Sequence, residues 1–507
     1  MKTTIALLFN VLTFMFILVK GANKRPGVQF VNPVRLFEED EVKILPGLIF
    51  PMRRHYSGYL RADKDGNRFF HYWLSESLTH PKTDPLVVWL GGGYSCSGLL
   101  ALFTQVGPLR ILSQKAVVDN PFAWNKRANI AFIDFPVGSG YSYSVNGTLS
   151  FDEEDLVSRI HYALMNLIAR KFPHYVQRTL YLVGEDYVAN NVLAVANKIL
   201  SETEIPLEGV LLNAPYLDRL EVLRAKLRLA RWWEKYPLSY YIDMGKNNCC
   251  ARSRKKDCVD IDRRDSICYK LVKDALEICA RQISNPWKIN DECPDSDALH
   301  LVKSFSNLTS ERRSSTPEHH STHVGTNKYY QLSPKYGRWS LIPPFLPKQL
   351  RQHLKNRCID DSVAEGYLNS EFVRASLNIP DKLRKPFAFC THSTVNYGKI
   401  FHPGNLNSSA LLRTLIMSPK KPNILIYHGE LNWEINRLTL EPFLEDERAV
   451  KLRGREPFYI NARRGGSRKI FGGISHYTIK DAGYRVASDQ PVAALYMFHR
   501  FLDGLLD

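Results

Sequence analysis

The chain has 507 residues, 44% hydrophobic and 23% charged. That is enough apolar material for a large core, and too balanced a mixture for a disordered or fibrous chain. Its formal net charge of +17 is dispersed along the sequence, which argues against a dedicated nucleic-acid binder. It favours anionic partners such as sialylated glycans, acidic proteins or anionic lipid.

At the N-terminus Lys2, the apolar stretch 5–19 and the small residues Val19 and Gly21 read as a signal peptide over 1–21. An anchor helix is the alternative, but polar residues follow at once and no later stretch approaches ~20 apolar residues. Entry into an oxidising compartment, secreted or lysosomal, is expected. Residues 56–60 and 67–74, with alternating aromatics around Asp65-Gly66, predict a β-hairpin. Residues 85–90 predict a buried strand opening into Gly91-Gly92-Gly93-Tyr94-Ser95-Cys96-Ser97, a loop whose backbone N–H groups can face an anion.

A third strand is expected at 128–134. A helix over 153–170 follows, with Leu156, Ile160, Ala163 and Leu167 at helical spacing. Then an apolar strand at 179–183 meets Gly184, and a helix-capable segment occupies 192–200. This is the grammar of a nucleophile elbow, the strand-to-helix turn that lifts one side chain above a sheet toward the positive end of a helix. The elbow residue here is Asp186. One more strand is expected at 209–213.

From 219 to 365 the alternation gives way to basic helical pieces, most of the cysteines and the polar run 304–326. This reads as an inserted lid with little apolar pattern of its own. His319, His320 and His323 could hold a metal, but no carboxylate or cysteine framework surrounds them, so a solvated loop is the reading. Neither a metal nor a cofactor is expected. Sheet grammar returns at 423–428 and 474–480, and a helix at 492–502 closes the chain.

The pattern predicts an α/β class. It predicts an α/β-hydrolase fold with a central, mostly parallel sheet and an inserted, mainly helical, disulfide-stapled lid. The core is divided into 22–218 and 366–507, with the lid at 219–365. Nine cysteines in a secreted chain favour disulfides over zinc, and the odd count leaves one thiol over. Sequons stand at Asn146, Asn307 and Asn407.

Several ordered motifs carry a resemblance. Trp89-Leu90-Gly91-Gly92-Gly93-Tyr94-Ser95-Cys96-Ser97 is similar to W-L-N-G-G-P-G-C-S. Asn120-Pro121-Phe122-Ala123-Trp124-Asn125 and residues 134–142 match two further signatures. The elbow stands at G-E-S-Y-A-G, Gly429-Glu430-Leu431-Asn432 at G-D-x-D, and Ala482-Gly483-Tyr484-Arg485-Val486 at A-G-H-x-V. Across residues 56–501 the chain resembles the serine carboxypeptidase family, and within it the lysosomal protective-protein branch. The resemblance implies disulfides Cys96–Cys390, Cys249–Cys268, Cys250–Cys258 and Cys293–Cys358, with Cys279 unpaired. It also implies oxyanion-hole N–H groups at Gly93 and Tyr187.

The departures fall on the chemistry. By resemblance the nucleophilic Ser is Asp186, the orienting Asp is Asn432 and the general base His is Tyr484. Acyl transfer needs a hydroxyl, a base that takes its proton near neutral pH, and an anion to support the cation formed. A Tyr phenol, with a reference pKa of ~10 against ~6.5 for His, cannot be that base. The positions equivalent to those that bind a substrate carboxylate are Gly91, Gln105 and Glu185. Gly91 has no donor side chain, and Asp186 adds like charge beside them.

The expected function is a serine carboxypeptidase-like protein without catalysis, binding or stabilising protein partners, or binding peptides in the old cleft, with a homodimer among its assemblies. An active serine-type carboxypeptidase, or a hydrolase rewired through Asp186, is the alternative. An elbow Asp would still need a histidine to activate water. His428 and His476 lie near strand ends but read as hydrogen-bonded structural residues. The oxyanion-hole N–H groups and the helix end are expected to hold the Asp186 carboxylate.

Overall fold

A computed structural model describes residues 38–48, 54–92, 96–147, 149, 151–232, 234–235, 237–247, 249, 266–282, 329–331, 358–383, 385–390, 401–402, 407–440, 454–471 and 473–505. The expected signal peptide, His319, His320, His323, Asn307 and the run 304–326 lie outside them. So do Gly93 and at least one cysteine of each of the pairs Cys250–Cys258 and Cys293–Cys358. Residues from Asp40 onward form one compact unit.

Ten strands build the main sheet: β1 (His55–Arg61), β2 (Arg68–Ser75), β3 (Leu86–Gly92), β4 (Asn129–Ile133), β5 (Leu180–Glu185), β6 (Leu207–Asn213), β7 (Asn423–Gly429), β8 (Glu456–Ile460), β9 (Arg463–Phe471) and β10 (Ile474–Ile479). Their spatial order is β1-β2-β4-β3-β5-β6-β7-β10-β9-β8, with the short strand Tyr143–Ser144 beside β2. The six strands from β4 to β10 in that order are parallel, and antiparallel pairs flank them at both ends. Parallel strands covered on both faces should read as continuous apolar runs. β5 and β10 are accordingly buried at every position. This is the α/β-hydrolase arrangement expected from the alternation.

Helices α1 (Gly98–Thr104), α2 (Glu153–Met165), α3 (Val188–Glu202), α4 (Arg219–Trp232), α5 (Leu238–Lys246), α6 (Ile267–Gln282), α7 (Ser408–Ile416) and α8 (Pro491–Leu502) accompany the sheet. The helix expected over 153–170 changes character. After α2 the chain widens into a π-turn at Asn166–Lys171. α3 starts earlier than its apolar pattern suggested, because its first turn is packed against β5. A Cβ on Gly184 would lie 2.7 Å from Val192 Cγ2 and 2.9 Å from Ala189 Cα, so glycine lets the helix fold back on its own strand.

Helices α4 to α6 lie between β6 and β7 in sequence, within the stretch read as a lid. They are not poor in apolar pattern, which corrects that expectation. Leu223, Leu227, Ala230, Met244, Val272 and Leu276 form a buried cluster that also takes in Trp433 and Leu438 from beyond β7. The arginines and lysines of α4 interrupt the linear pattern without interrupting the buried face. Cys249 and Cys268 are disulfide-bonded within this cluster, and Cys279 is a buried free thiol. A second bond, Cys96–Cys390, ties the glycine-rich loop to the segment around Phe389, whose carbonyl accepts from Ser97 N–H at 2.7 Å. Asn146 is exposed, and Asn407 caps α7 by accepting from Ala410 N–H at 2.9 Å.

Candidate active site

β5 ends in Glu185, and Asp186 turns the chain through a left-handed conformation, φ 57°, into α3. Such a φ is uncommon outside glycine, and aspartate is among the residues that tolerate it. The turn is held from its neighbours. Asp186 N–H donates to Asn213 O at 3.0 Å, and Asp186 O accepts from Tyr216 N–H at 3.1 Å. The elbow is built, with a carboxylate at its tip.

The loops after β7 and β10 are laced together at the same end of the sheet. Glu430 N–H donates to Ile479 O at 2.9 Å, and Leu431 N–H to Ala482 O at 2.8 Å. This brings Tyr484 across to the elbow, where its phenol donates to Asp186 Oδ2 at 2.9 Å. A side chain from another loop thus holds the carboxylate, a partner that the expectation of backbone capping did not include. The physical reason is reach, since the Tyr484 ring spans the gap from the β10 loop.

Asn432 stays apart from this pair. Fully buried, it donates from Nδ2 to Ile435 O at 2.9 Å and accepts from Ile435 N–H at 3.3 Å, closing its own turn. Of the three side chains that the resemblance places at triad positions, two are therefore joined and the third is turned to local structure.

Burial sets the electrostatics. It pushes the Asp186 carboxyl up to about 7, against the pull of the Tyr484 hydrogen bond and of Lys226. Glu185 is likewise pushed up to about 7 by burial, with the Asp186 charge adding to the rise. Gln105 Nε2 donates to Glu185 Oε2 at 3.1 Å and Asn213 Nδ2 donates to Oε1 at 2.8 Å, so both carboxylate oxygens are engaged. Gln105 and Glu185 do meet. Gly91, the third position, is closed off, for a Cβ there would lie 2.3 Å from Cys96 O.

Three contacts were not expected from the sequence. Lys226, buried on α4, forms an ion pair with half-buried Glu434 at 2.5 Å, and both act electrostatically on Asp186. Asn213 stands at the C-terminal end of β6, where α/β sheets gather functional groups; that rule could have flagged it. Arg485, next to Tyr484, pairs with buried Asp361 at 2.8 Å.

The two strand-end histidines face each other in the core. His428 Nδ1 and His476 Nε2 are 3.1 Å apart, both rings are fully buried, and Arg455 donates to His476 Nδ1 at 3.0 Å. That donation fixes His476 with its proton on Nε2, pointing at His428. Burial pushes His428 down to about 3 and His476 well down. A Ser–His–Asp chain does exist elsewhere, in the core. Ser57 Oγ lies 2.9 Å from His71 Nε2, and His71 Nδ1 lies 3.0 Å from Asp134 Oδ2. All three are fully buried, and the Ser57 hydroxyl donates to Leu377 O at 2.8 Å. Its proton is committed to a carbonyl and no substrate reaches it, so this chain is structural.

Comparison with known proteins agrees with the geometry. The serine carboxypeptidase family model matches residues 46–504. The chain is 27% identical to the lysosomal protective protein of Mus musculus, over 92% of this chain and 94% of that protein. It is 26% identical to a serine carboxypeptidase of Caenorhabditis elegans, over 92% and 93%. The structure of Kex1(delta)p, a prohormone-processing carboxypeptidase of Saccharomyces cerevisiae, superposes with a TM-score of 0.62 at 17% identity, covering 92% of this chain and 95% of that one, and so shares the fold. On its elbow, its sheet and the extent of the family match, the chain belongs to the serine carboxypeptidase family.

Proposed function

We propose that this protein is a non-catalytic serine carboxypeptidase homologue that uses the scaffold to bind or stabilise a protein partner in a secretory or lysosomal compartment. The observation that carries the reading is the Tyr484–Asp186 hydrogen bond. At the elbow, the nucleophile position is an acceptor, and the base position is a donor that caps it. Acyl transfer requires the reverse polarity, a hydroxyl donating to a base. Asn432 is neutral and engaged with Ile435, so that position supplies no anion to orient a base. The partner-stabilising role leans on the name of the mouse relative, a protective protein.

Rewired chemistry through Asp186 would need a nearby base, and among the described residues the carboxylate's hydrogen-bond partner is a phenol. The test is carboxypeptidase turnover of blocked dipeptides from acid to neutral pH, with fluorophosphonate labelling, on the native chain and on Asp186→Ser/Asn432→Asp/Tyr484→His. A silent, unlabelled native protein beside a labelled revertant is the expected result. Turnover by the native protein, free of contaminating peptidase, would sink the proposal. A trapped Asp186 ester would replace it with the rewired hydrolase.

A further inference from the structure

The short strand Tyr143–Ser144 runs into a turn that holds the sequence's one Asn–Gly step, Asn146-Gly147. Gly147 N–H donates to Ser144 O at 3.3 Å, closing a tight turn from Ser144 to Gly147. Gly147 takes φ 72°, a left-handed value that glycine adopts at no steric cost. Val145, Asn146 and Gly147 are all exposed, and a Cβ on Gly147 would meet nothing beyond its chain neighbours within 4 Å. The Asn146 carboxamide is oriented within this turn, because Ser144 Oγ donates to its Oδ1 at 2.6 Å. A serine holding a turn asparagine is often no more than local structure. Here the held carbonyl belongs to a residue whose next neighbour has no side chain, on a turn open to water.

We propose that Asn146 is a site of self-modification, converted through a cyclic imide to aspartate and isoaspartate, with the Ser144 hydroxyl promoting the first step. In that step the Gly147 N–Cγ bond forms and the Cγ–Nδ2 bond breaks. The Gly147 amide proton leaves with Nδ2 as ammonia. Water then adds to one of the two imide carbonyls, and the side opened decides between aspartate and isoaspartate. Attack from the adjoining residue is unimolecular. Ser144 donates to the oxygen on which negative charge develops as the nitrogen adds, the part an oxyanion-hole donor plays. Asn407 supplies an internal contrast, since it caps α7 through Ala410 N–H and its neighbour Ser408 is buried and carries a Cβ. Isoaspartate would lengthen the main chain just beyond Tyr143, which pairs in register with Phe69 and stacks on its ring at 5.2 Å. The modified turn should loosen that pairing. This site is independent of the elbow and of whether the elbow is catalytic.

The test uses the full chain carrying Thr148→Ala, which removes the Asn146-Gly147-Thr148 sequon and so keeps any glycan off Nδ2. The folded protein is held at neutral pH and body temperature, and its peptides are read over time by mass spectrometry and isoaspartyl methyltransferase labelling. Acid and isoaspartate should accumulate at Asn146 while Asn407 keeps its amide. Adding Ser144→Ala should slow conversion by about fivefold, the worth of one hydrogen bond on the barrier. Ser144→Thr, which keeps the hydroxyl, should restore the rate, a rescue that mere loosening of the turn would not give. Gly147→Ala, which crowds the ring and strains the turn, should slow it by roughly tenfold. The inference fails if Asn146 stays intact while the same peptide, free in solution, is half converted. It fails also if Ser144→Ala converts as fast as its parent, or if Asn407 converts as readily as Asn146.

Discussion

Replacing Asp186 by Asn tests whether the elbow carboxylate is a burden to the fold. Burial raises this carboxyl from 3.8 to about 7. The unfolded chain therefore ionises it from pH ~4 upward, whereas the folded chain holds its proton until near 7. Between those limits the folded state binds more protons, so wild-type stability falls as pH rises through the window and levels off above it. The shift corresponds to a ceiling of about 4 kcal/mol at 1.36 kcal/mol per tenfold. Asp186 is partly exposed, and solvent screening reduces the expected effect to roughly 1–2 kcal/mol.

An amide at this position carries no proton to lose, and can still accept from Tyr484. The stability difference between Asp186→Asn and wild type should therefore be small at pH ~4 and grow by roughly 1–2 kcal/mol by pH ~8. Glu185 adds in the same sense, since the Asp186 charge contributes to its elevation. Urea unfolding of both proteins across this pH range, with disulfides intact, measures the difference directly. A gain that is flat with pH, or largest in acid, would refute the reasoning.

Two further substitutions probe the surroundings. Lys226→Met should cost about 1–3 kcal/mol by leaving half-buried Glu434 unpaired, and the double variant Lys226→Met/Glu434→Leu should recover most of it in the same unfolding assay. A single variant as stable as wild type would show that the ion pair is not structural. His428 is held neutral, at about 3, while the unfolded chain protonates it below ~6.5. Native stability should therefore drop as pH falls from ~6.5 toward ~3. His428→Gln should flatten that loss by about 1–2 kcal/mol between pH ~7 and ~4.5, and an unchanged acid slope would count against the buried neutral pair.

Much of this protein was legible in its residues. The strands were visible because parallel sheet interiors demand uninterrupted apolar runs, as in β5 and β10. The elbow was visible because an apolar strand meets a small residue and then a helix, and at Gly184 no side chain fits. The residue types at the positions that the resemblance assigns to the triad were equally plain, since side-chain chemistry does not depend on the fold. Asp186, Asn432 and Tyr484 cannot become a serine triad in any conformation.

What each group touches was decided only in three dimensions. Tyr484 and Asp186 are 298 positions apart, and their hydrogen bond exists because the loops after β5, β7 and β10 close on one another at one end of the sheet. The same closure turns Asn432 onto Ile435 and seats Gln105 and Asn213 on Glu185. In α4 the sequence shows a basic helix, yet packing buries Lys226 against Glu434 and makes it a neighbour of the elbow. Residue types and their periodicity survive without a tertiary structure. A hydrogen bond, or a carboxyl raised by burial, does not, because each depends on distances and on the exclusion of water that only the packed chain sets.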